Sequence, residues 1–382
     1  GRLIAKGCNM LRRARLIRSK MDRFTHPVVV SLDASRFDAH VTDMLEVEHC
    51  VYKRYWNSPH LQRLLDWQVR NRGRTSTGVS YGLRGSRMSG DMNTALGNCI
   101  ISIIMLANIM RQLKVNPTKW DMLCDGDDVL LFINKPELWV INHLPQHYLD
   151  HGFVIKVENV TTDYNEVTFC QSKPIDTLRG PKMIAVPTRL LSRSLVGVKH
   201  WSEPKFIPKY LALIGYCELA LNMGVPIHQE FALTVLSWGS TLPKNIQYTG
   251  KVIKTLREER EGPVMPLPIT DEARVAFEEA FGIPPEEQRA CEAGVEAPQS
   301  AWGQKGNLNR HSAHKLGPAL VHQGGHVGVA LAQPPAPDPQ GNAGATTLQG
   351  KPQNSLSGLS LQALTCNTTL NRDCWMRSGC IQ

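Results

Sequence analysis

Residues 122–133 read MLCDGDDVLLFI: Asp125, Asp127 and Asp128 crowd around Gly126, between two runs of apolar residues. The flanks have strand-like composition and Gly126 supplies the backbone angles of a tight turn, so the stretch predicts a β-hairpin over 121–134. Like charges this close repel one another and lose hydration, which is costly unless something positive sits beside them. An aspartate-rich surface turn would leave the charges in water. Between buried flanks, a divalent metal is the more economical partner, and the rest of the chain has to decide.

Upstream, HPVVVSLDASRFD (26–38) predicts a β-branched strand ending at Asp33, with Asp38 five residues on, beyond a turn. TSTGVSYGLRGSRMSG (75–90) reads as a glycine- and serine-rich loop with a short strand. It feeds a helix from Asp91 to about Leu113, with Ser89 or Asp91 as its cap. Thr94 and Asn98 lie one turn apart on this otherwise apolar helix, where Asn98 is either a satisfied core amide or a ligand reader. Helices are expected over 1–23, 41–70, 136–151, 206–223, 227–238 and 271–281, and strands over 152–158 and 166–171.

The chain has 382 residues, a net charge of +9 and 42% hydrophobic residues, enough for a sizeable core and two or three domains. Its basic residues cluster. Residues 1–25 hold eight (Arg2, Lys6, Arg12, Arg13, Arg15, Arg18, Lys20, Arg23) against Asp22 alone, and residues 53–87 hold eight more against Asp66 alone. Two basic blocks around an acidic centre predict a polyanion on the surface and metal at the core. Ten cysteines without a CxxC pair fit a reduced, cytosolic setting. The apolar run CIISIIMLA (99–107) is far short of a membrane span, and no signal peptide opens the sequence. Residues 289–382 lack Phe and Tyr and are rich in Pro, Gly, Gln, Asn and Ala, which predicts disorder.

Nucleotidyl transfer needs two Mg²⁺ ions about 4 Å apart. Mg²⁺ takes hard oxygen ligands and keeps several waters or phosphates, so two or three carboxylates suffice. Asp33 and Asp127 from adjacent strands, with Asp128 beside them, match that need. No GxxxxGK[ST] loop occurs, which disfavours an NTPase or helicase.

In the order SLDASRFDAHV, RMSGDMNTALGNC and CDGDDVLLF, these segments resemble motifs A, B and C of viral RNA-dependent RNA polymerases. The wording is similar to that of the tombusvirus and carmovirus family of plant positive-strand RNA viruses. AKGCNMLRRARLIRSKMDRF and VTFCQSKPI resemble that group too, so the likeness runs from about residue 5 to 260.

The resemblance implies an α+β right-hand polymerase fold. A basic fingers segment would occupy 1–25, and a palm with a small antiparallel sheet 26–165, with a fingers insertion around 45–88. Motif E and a helical thumb would follow over 166–286, then a disordered tail over 287–382. It implies template-directed RNA synthesis from ribonucleoside triphosphates, with RNA template and product as partners. Asp33, Asp127 and Asp128 become the catalytic and metal carboxylates for Mg²⁺, with Mn²⁺ as a possible substitute. Asp38 and Asn98 become the pair that reads the ribose 2′-hydroxyl, supported by Ser89, Gly90 and Thr94, and Lys156 the motif D residue that protonates pyrophosphate. Asp38 with Asn98 argues against a reverse transcriptase or DNA polymerase. An RNA-binding, catalytically incomplete fragment is the other alternative, because the arginine- and lysine-rich motif F is expected before Gly1. The likeness also implies work in the host cytoplasm, within a viral replicase at membrane-associated replication complexes, with any anchor outside this chain.

Overall fold

A computed structural model describes residues 1–196, 204–240 and 263–295. Its centre is a four-stranded antiparallel sheet built from β1 (Pro27–Ala34), β4 (Trp120–Asp125), β5 (Asp128–Asn134) and β6 (Ile155–Thr161), in the order β4-β5-β1-β6. Both faces of its central strands are covered, which is why β1 and β5 read as unbroken apolar runs rather than alternating ones. On one face Val28, Val30, Leu32, Met122, Leu131 and Ile133 pack against the helix α5 (Thr94–Gln112) and against Leu144 and Tyr148 of α6 (Leu144–Asp150). On the other, Val29, Leu123, Leu130 and Phe132 meet Ala14, Ile17 and Met21 of α1 (Met10–Met21), together with Val167, Phe169 and Met183.

The β4 edge is sheltered by the incoming chain. Cys124 N–H donates to the Leu3 carbonyl and Ala5 N–H to the Cys124 carbonyl, each at 2.8 Å. Such pairing removes an exposed row of backbone donors and acceptors.

Between β1 and α5 the chain forms α2 (Phe37–His40), α3 (Met44–Tyr55), α4 (Pro59–Val69) and a two-stranded hairpin, β2 (Arg70–Arg74) with β3 (Ser80–Arg84). The single helix expected over 41–70 is thus two. Pro59 cannot continue a helix but fits a first turn, and the Ser58 hydroxyl caps α4 by accepting from Leu61 N–H at 3.2 Å. The expected cap of α5 also differs. Neither Ser89 nor Asp91 caps it; Asn93 takes that place without a side-chain bond, and the helix starts at Thr94.

Residues 166–171 are not a strand. They lead into a two-residue turn at Cys170 and Gln171, closed by paired Phe169–Ser172 backbone bonds, and the strands are β7 (Ser172–Thr177) and β8 (Gly180–Ala185). Then follow α7 (Pro187–Arg193), the packed pair α8 (Ile207–Asn222) and α9 (His228–Ser237), α10 (Asp271–Phe281) and α11 (Pro285–Val295). The helix α11 corrects the tail boundary at 287. Glu286 and Glu287 suit its first turn, Gln288 is fully buried with bonds to the Arg274 and Ile283 carbonyls at 2.9 and 2.7 Å, and Glu292 pairs with Arg274. The tail expectation for 296–382 lies outside the described residues.

Although its apolar core run is short, α5 as a whole is long and apolar enough to cross a bilayer by length and composition. Here it is a core helix: Ile101, Met105, Leu106 and Ile109 are sealed against the sheet.

Candidate active site

The hairpin turn lies between Asp125 and Asp128, which are cross-strand partners. Gly126 takes φ +85° at the first turn position, the pattern of a type II′ turn, which any other residue would hold under strain. The turn is held from below by α5. Gly126 N–H donates to Cys99 Sγ at 3.1 Å, and the Ser102 hydroxyl donates to the Gly126 carbonyl at 2.8 Å.

Strand parity then places the acids. Leu32 pairs with Val129, so one further step in register brings Asp33 beside Asp128, on the sheet face that carries α1. Lys156 on β6 is the direct partner of Asp33 from the other side, exposed and on the same face. Asp33, Asp128 and Lys156 therefore converge at one end of one sheet face, with Asp127 at the turn.

The three aspartates of the knot have different partners. Asp125 is buried and bound by Lys6 and Arg13. Asp127 and Asp128 have no cationic partner among the described residues. Burial pushes the Asp128 carboxyl up to about 6, helped by the negative charges of Asp127, Asp33 and Asp125, while the Cys170 thiol donates to it and pulls the other way. Asp127 is also raised, by burial first and then by Asp38 and Asp33. The unresolved charge thus sits on Asp127 and Asp128, where a hard cation would relieve it. No group of three or more His, Cys, Asp or Glu among the described residues is drawn close enough to hold a metal as it stands. The donor set nonetheless fits a divalent ion that brings its own waters or phosphates.

A second cluster adjoins it. Asn98 Nδ2 donates to Asp38 Oδ1 at 2.7 Å, and the Ser89 hydroxyl donates to Asp38 Oδ2. Because α5 supplies Asn98, Cys99 and Ser102 within a single turn and a half, one helix end fixes both Asp38 and the acidic turn. Thr94 and Gly90 do not join. The Thr94 hydroxyl donates to the Met88 carbonyl at 3.0 Å, bracing the loop, and Gly90 is exposed with open space where a side chain would be.

Sequence reasoning missed three partners of the site. Cys170 reaches Asp128 from a turn in which Cys170 and Gln171 both have positive φ (53° and 55°), a costly conformation for residues other than glycine. Arg87 and Glu48 form a buried ion pair behind Asn98. The position of Arg87, two residues before Ser89, was a usable signal; nothing in the sequence marks Glu48.

The basic blocks also divide. In the first, Lys6 and Arg13 bind Asp125, Lys20 and Arg23 bind Asp121, and Arg18 binds Asp176. Five of its eight cations are thus tied to three carboxylates of the chain, while Arg2, Arg12 and Arg15 stay exposed. In the second, Arg54, Arg63, Arg70, Arg72 and Arg74 remain exposed beside Trp56, Trp67 and Tyr81, while Arg87 is buried.

The family described as viral RNA dependent RNA polymerase matches residues 1–302. The chain belongs to that family. It is similar to the RNA-directed RNA polymerases of Groundnut rosette virus (strain MC1), 33% identical over 297 residues and 76% of this chain, and of Turnip crinkle virus, 32% identical over 300 residues and 76% of it. The corresponding protein of Tomato bushy stunt virus (strain Cherry) is 31% identical over 287 residues, 74% of this chain. These matches cover 34%, 38% and 34% of the relatives, so the chain spans about a third of the length of the viral polymerases it matches.

Proposed function

We propose that this chain carries the catalytic centre of a viral RNA-dependent RNA polymerase, which joins ribonucleoside triphosphates to an RNA 3′-end on an RNA template. The observation that carries the reading is the convergence of Asp33, Asp127 and Asp128 at one sheet end, with Asp128 raised to about 6 and neither Asp127 nor Asp128 paired with a basic side chain among the described residues. Family membership over residues 1–302 favours this enzyme over an RNA-binding fragment.

In this reading β1, β4, β5 and β6 with α5 and α6 are the palm, α3, α4 and the β2–β3 hairpin part of the fingers, and α7 to α10 the thumb. Asp33, Asp127 and Asp128 would hold Mg²⁺, or Mn²⁺ in its place. Bound there, such ions supply positive charge to the attacking 3′-oxygen and the departing pyrophosphate. Asp38 and Asn98 orient the incoming ribose: its 2′-hydroxyl is donor and acceptor at once, and the pair offers a carboxylate oxygen and an amide N–H. Lys156, across from Asp33 and free of any ion pair among the described residues, delivers a proton to the leaving pyrophosphate. The exposed arginines with Trp56, Trp67 and Tyr81 contact template and product RNA through phosphates and stacked bases. Assembly with the rest of the replicase, at membrane-associated complexes in the host cytoplasm, belongs to the same proposal.

The test is nucleotide incorporation on a primed RNA template by the whole replicase carrying Asp33→Ala or Asp127→Ala. Loss of Mg²⁺-dependent incorporation by more than a hundredfold, with the fold intact by circular dichroism, is expected. Activity within tenfold of wild type in either variant would overturn the metal assignment.

A further inference from the structure

Behind the Asp38–Asn98 pair lies an ion pair with no assigned role. Arg87 is 3% exposed and Glu48 0%. The Arg87 guanidinium bonds Glu48 through Nη2 and donates from Nε to Asn98 Oδ1 at 2.9 Å, while Asn93 Nδ2 donates to Glu48 Oε1 at 2.8 Å. The arginine backbone is fixed too, since Arg87 N–H donates to the Asp38 carbonyl at 2.8 Å. Gly97 completes the seat: a Cβ there would collide with Glu48 Oε1 and Arg87 Nη2.

A pair this buried is a poor device for stability. Removing two charges from water costs several kcal/mol per ion, and apolar residues of similar volume commonly serve a fold as well or better. Arg87 Nη1 is moreover buried without a hydrogen-bond partner, so the fold does not use all that the guanidinium offers. What the pair does accomplish is local and directional. With Arg87 donating to Oδ1, the Asn98 amide must present Nδ2 to Asp38. A flipped amide would place its oxygen against the carboxylate and face the guanidinium with N–H groups.

We infer that the buried Arg87–Glu48 pair is a positioning element that fixes the amide orientation of Asn98 and thereby sets discrimination between ribose and deoxyribose. The inference rests on the proposed sugar-reading role of Asp38 and Asn98. Glu48 holds the guanidinium plane, Arg87 holds the amide oxygen, and Asn98 is left with one N–H on Asp38 and a second for a 2′-hydroxyl. Neither charged residue touches the nucleotide.

The experiment uses the whole replicase on a primed RNA template and measures kcat and KM for a ribonucleotide and its 2′-deoxy counterpart. Arg87→Lys keeps a cation opposite Glu48 but withdraws the Nε donor from Asn98. The ratio of kcat/KM for the two sugars should fall about tenfold, the worth of one hydrogen bond to a charged group. The loss should come through the ribonucleotide KM, leaving kcat for the deoxynucleotide unchanged. On an Asn98→Ala background Arg87→Lys should change the ratio no further. Gly97→Ala, which displaces the pair without altering a hydrogen-bonding group, should lower the ratio in the same way and carries the test if Arg87→Lys fails to fold. Equal losses for both sugars, or an effect that adds to that of Asn98→Ala, would reduce the pair to a structural role. If Asn98→Ala lowers the ratio while Arg87→Lys and Gly97→Ala do not, the positioning role alone falls. If Asn98→Ala leaves the ratio unchanged, the sugar-reading assignment falls and this inference with it.

Discussion

Arg13 and Asp125 form an ion pair beneath the acidic turn, with side chains 14% and 7% exposed, and Lys6 binds the same carboxylate from the solvent side. One acid of the knot is therefore a structural anion, and its two successors are not. Removing the buried partner leaves the buried carboxylate to the half-exposed Lys6 alone. Arg13→Met should destabilise the protein by about 3 kcal/mol in urea unfolding, whereas Lys6→Ala, at a half-exposed position, should cost well under about 1 kcal/mol. Equal effects would mean that burial does not separate the two interactions.

Asp128 should show the opposite behaviour in the metal-free protein. Its carboxyl is raised to about 6 by burial and neighbouring acids, so the folded state holds that proton more tightly than the unfolded chain. Its ionisation thus costs stability as pH rises from the ordinary carboxyl range through about 6. Asp128→Asn should raise stability at pH 8 by roughly 1 kcal/mol after allowance for partial exposure, seen as a higher Tm, and change little at pH 4. A lower Tm at pH 8 would contradict the assignment of unrelieved charge to this residue.

His228 works in the other direction. It is fully buried, with Nε2 at 2.8 Å from the Ala185 carbonyl, and burial lowers it to about 4. The unfolded chain takes up a proton below about 6.5 that the folded state refuses, so stability is lost as pH falls from there toward 4. Urea unfolding of His228→Gln should show a shallower acid slope than wild type, by up to about 1.4 kcal/mol per pH unit. Unaltered slopes would place the acid sensitivity elsewhere.

The β2–β3 hairpin offers a count of phosphates. Arg70, Arg72 and Arg74 alternate along β2 and so share one exposed face, and Arg84 is the cross-strand partner of Arg70. Replacing the three β2 arginines with alanine should weaken binding to single-stranded RNA and flatten the plot of log affinity against log salt by about 0.7 for each phosphate no longer neutralised. An unchanged slope would remove this hairpin from the proposed RNA interface. The same substitutions of Arg18 and Arg23, already bonded to Asp176 and Asp121, should flatten it far less.

The sheet and its hairpin were legible from apolar runs flanking a Gly-containing turn, whereas the grouping of Asp33, Asp38, Asn98 and Asp128 came from the motif resemblance; the structure sets Asp33 beside Asp128 and Asn98 on Asp38. Less was legible wherever the answer depended on partners distant in the chain. The basic segment 1–25 read as a surface for polyanions because a sequence shows charge but not which charges meet; its partners Asp121 and Asp125 come about a hundred residues later. Residues 166–171 read as a strand from their apolar alternation, yet the chain turns at Cys170 and Gln171 in a conformation neither residue favours locally. Nothing in the sequence separates Glu48 from a solvent-facing acid, yet it is fully buried. Thr94, one turn from Asn98, shares its helix face but spends its hydroxyl on the Met88 carbonyl.

The bonds between the N-terminal segment and the hairpin have a kinetic consequence. Arg23 and Asp121 are 98 residues apart, Lys6 and Asp125 119 apart. A hairpin such as β4–β5 can zip up by itself in roughly microseconds, but docking α1 onto it requires closure of that long loop, which is entropically slow. Until the docking occurs, Asp121, Asp125, Asp127 and Asp128 crowd one short ribbon without the α1-side cations that bind two of them, and their repulsion opposes its closure. Dissolved salt screens that repulsion, and it should therefore speed refolding even while it weakens the exposed ion pairs of the finished molecule. The turn that carries Asp127 is then expected to settle only once α1 has docked, and refolding rates measured across salt concentrations test that order.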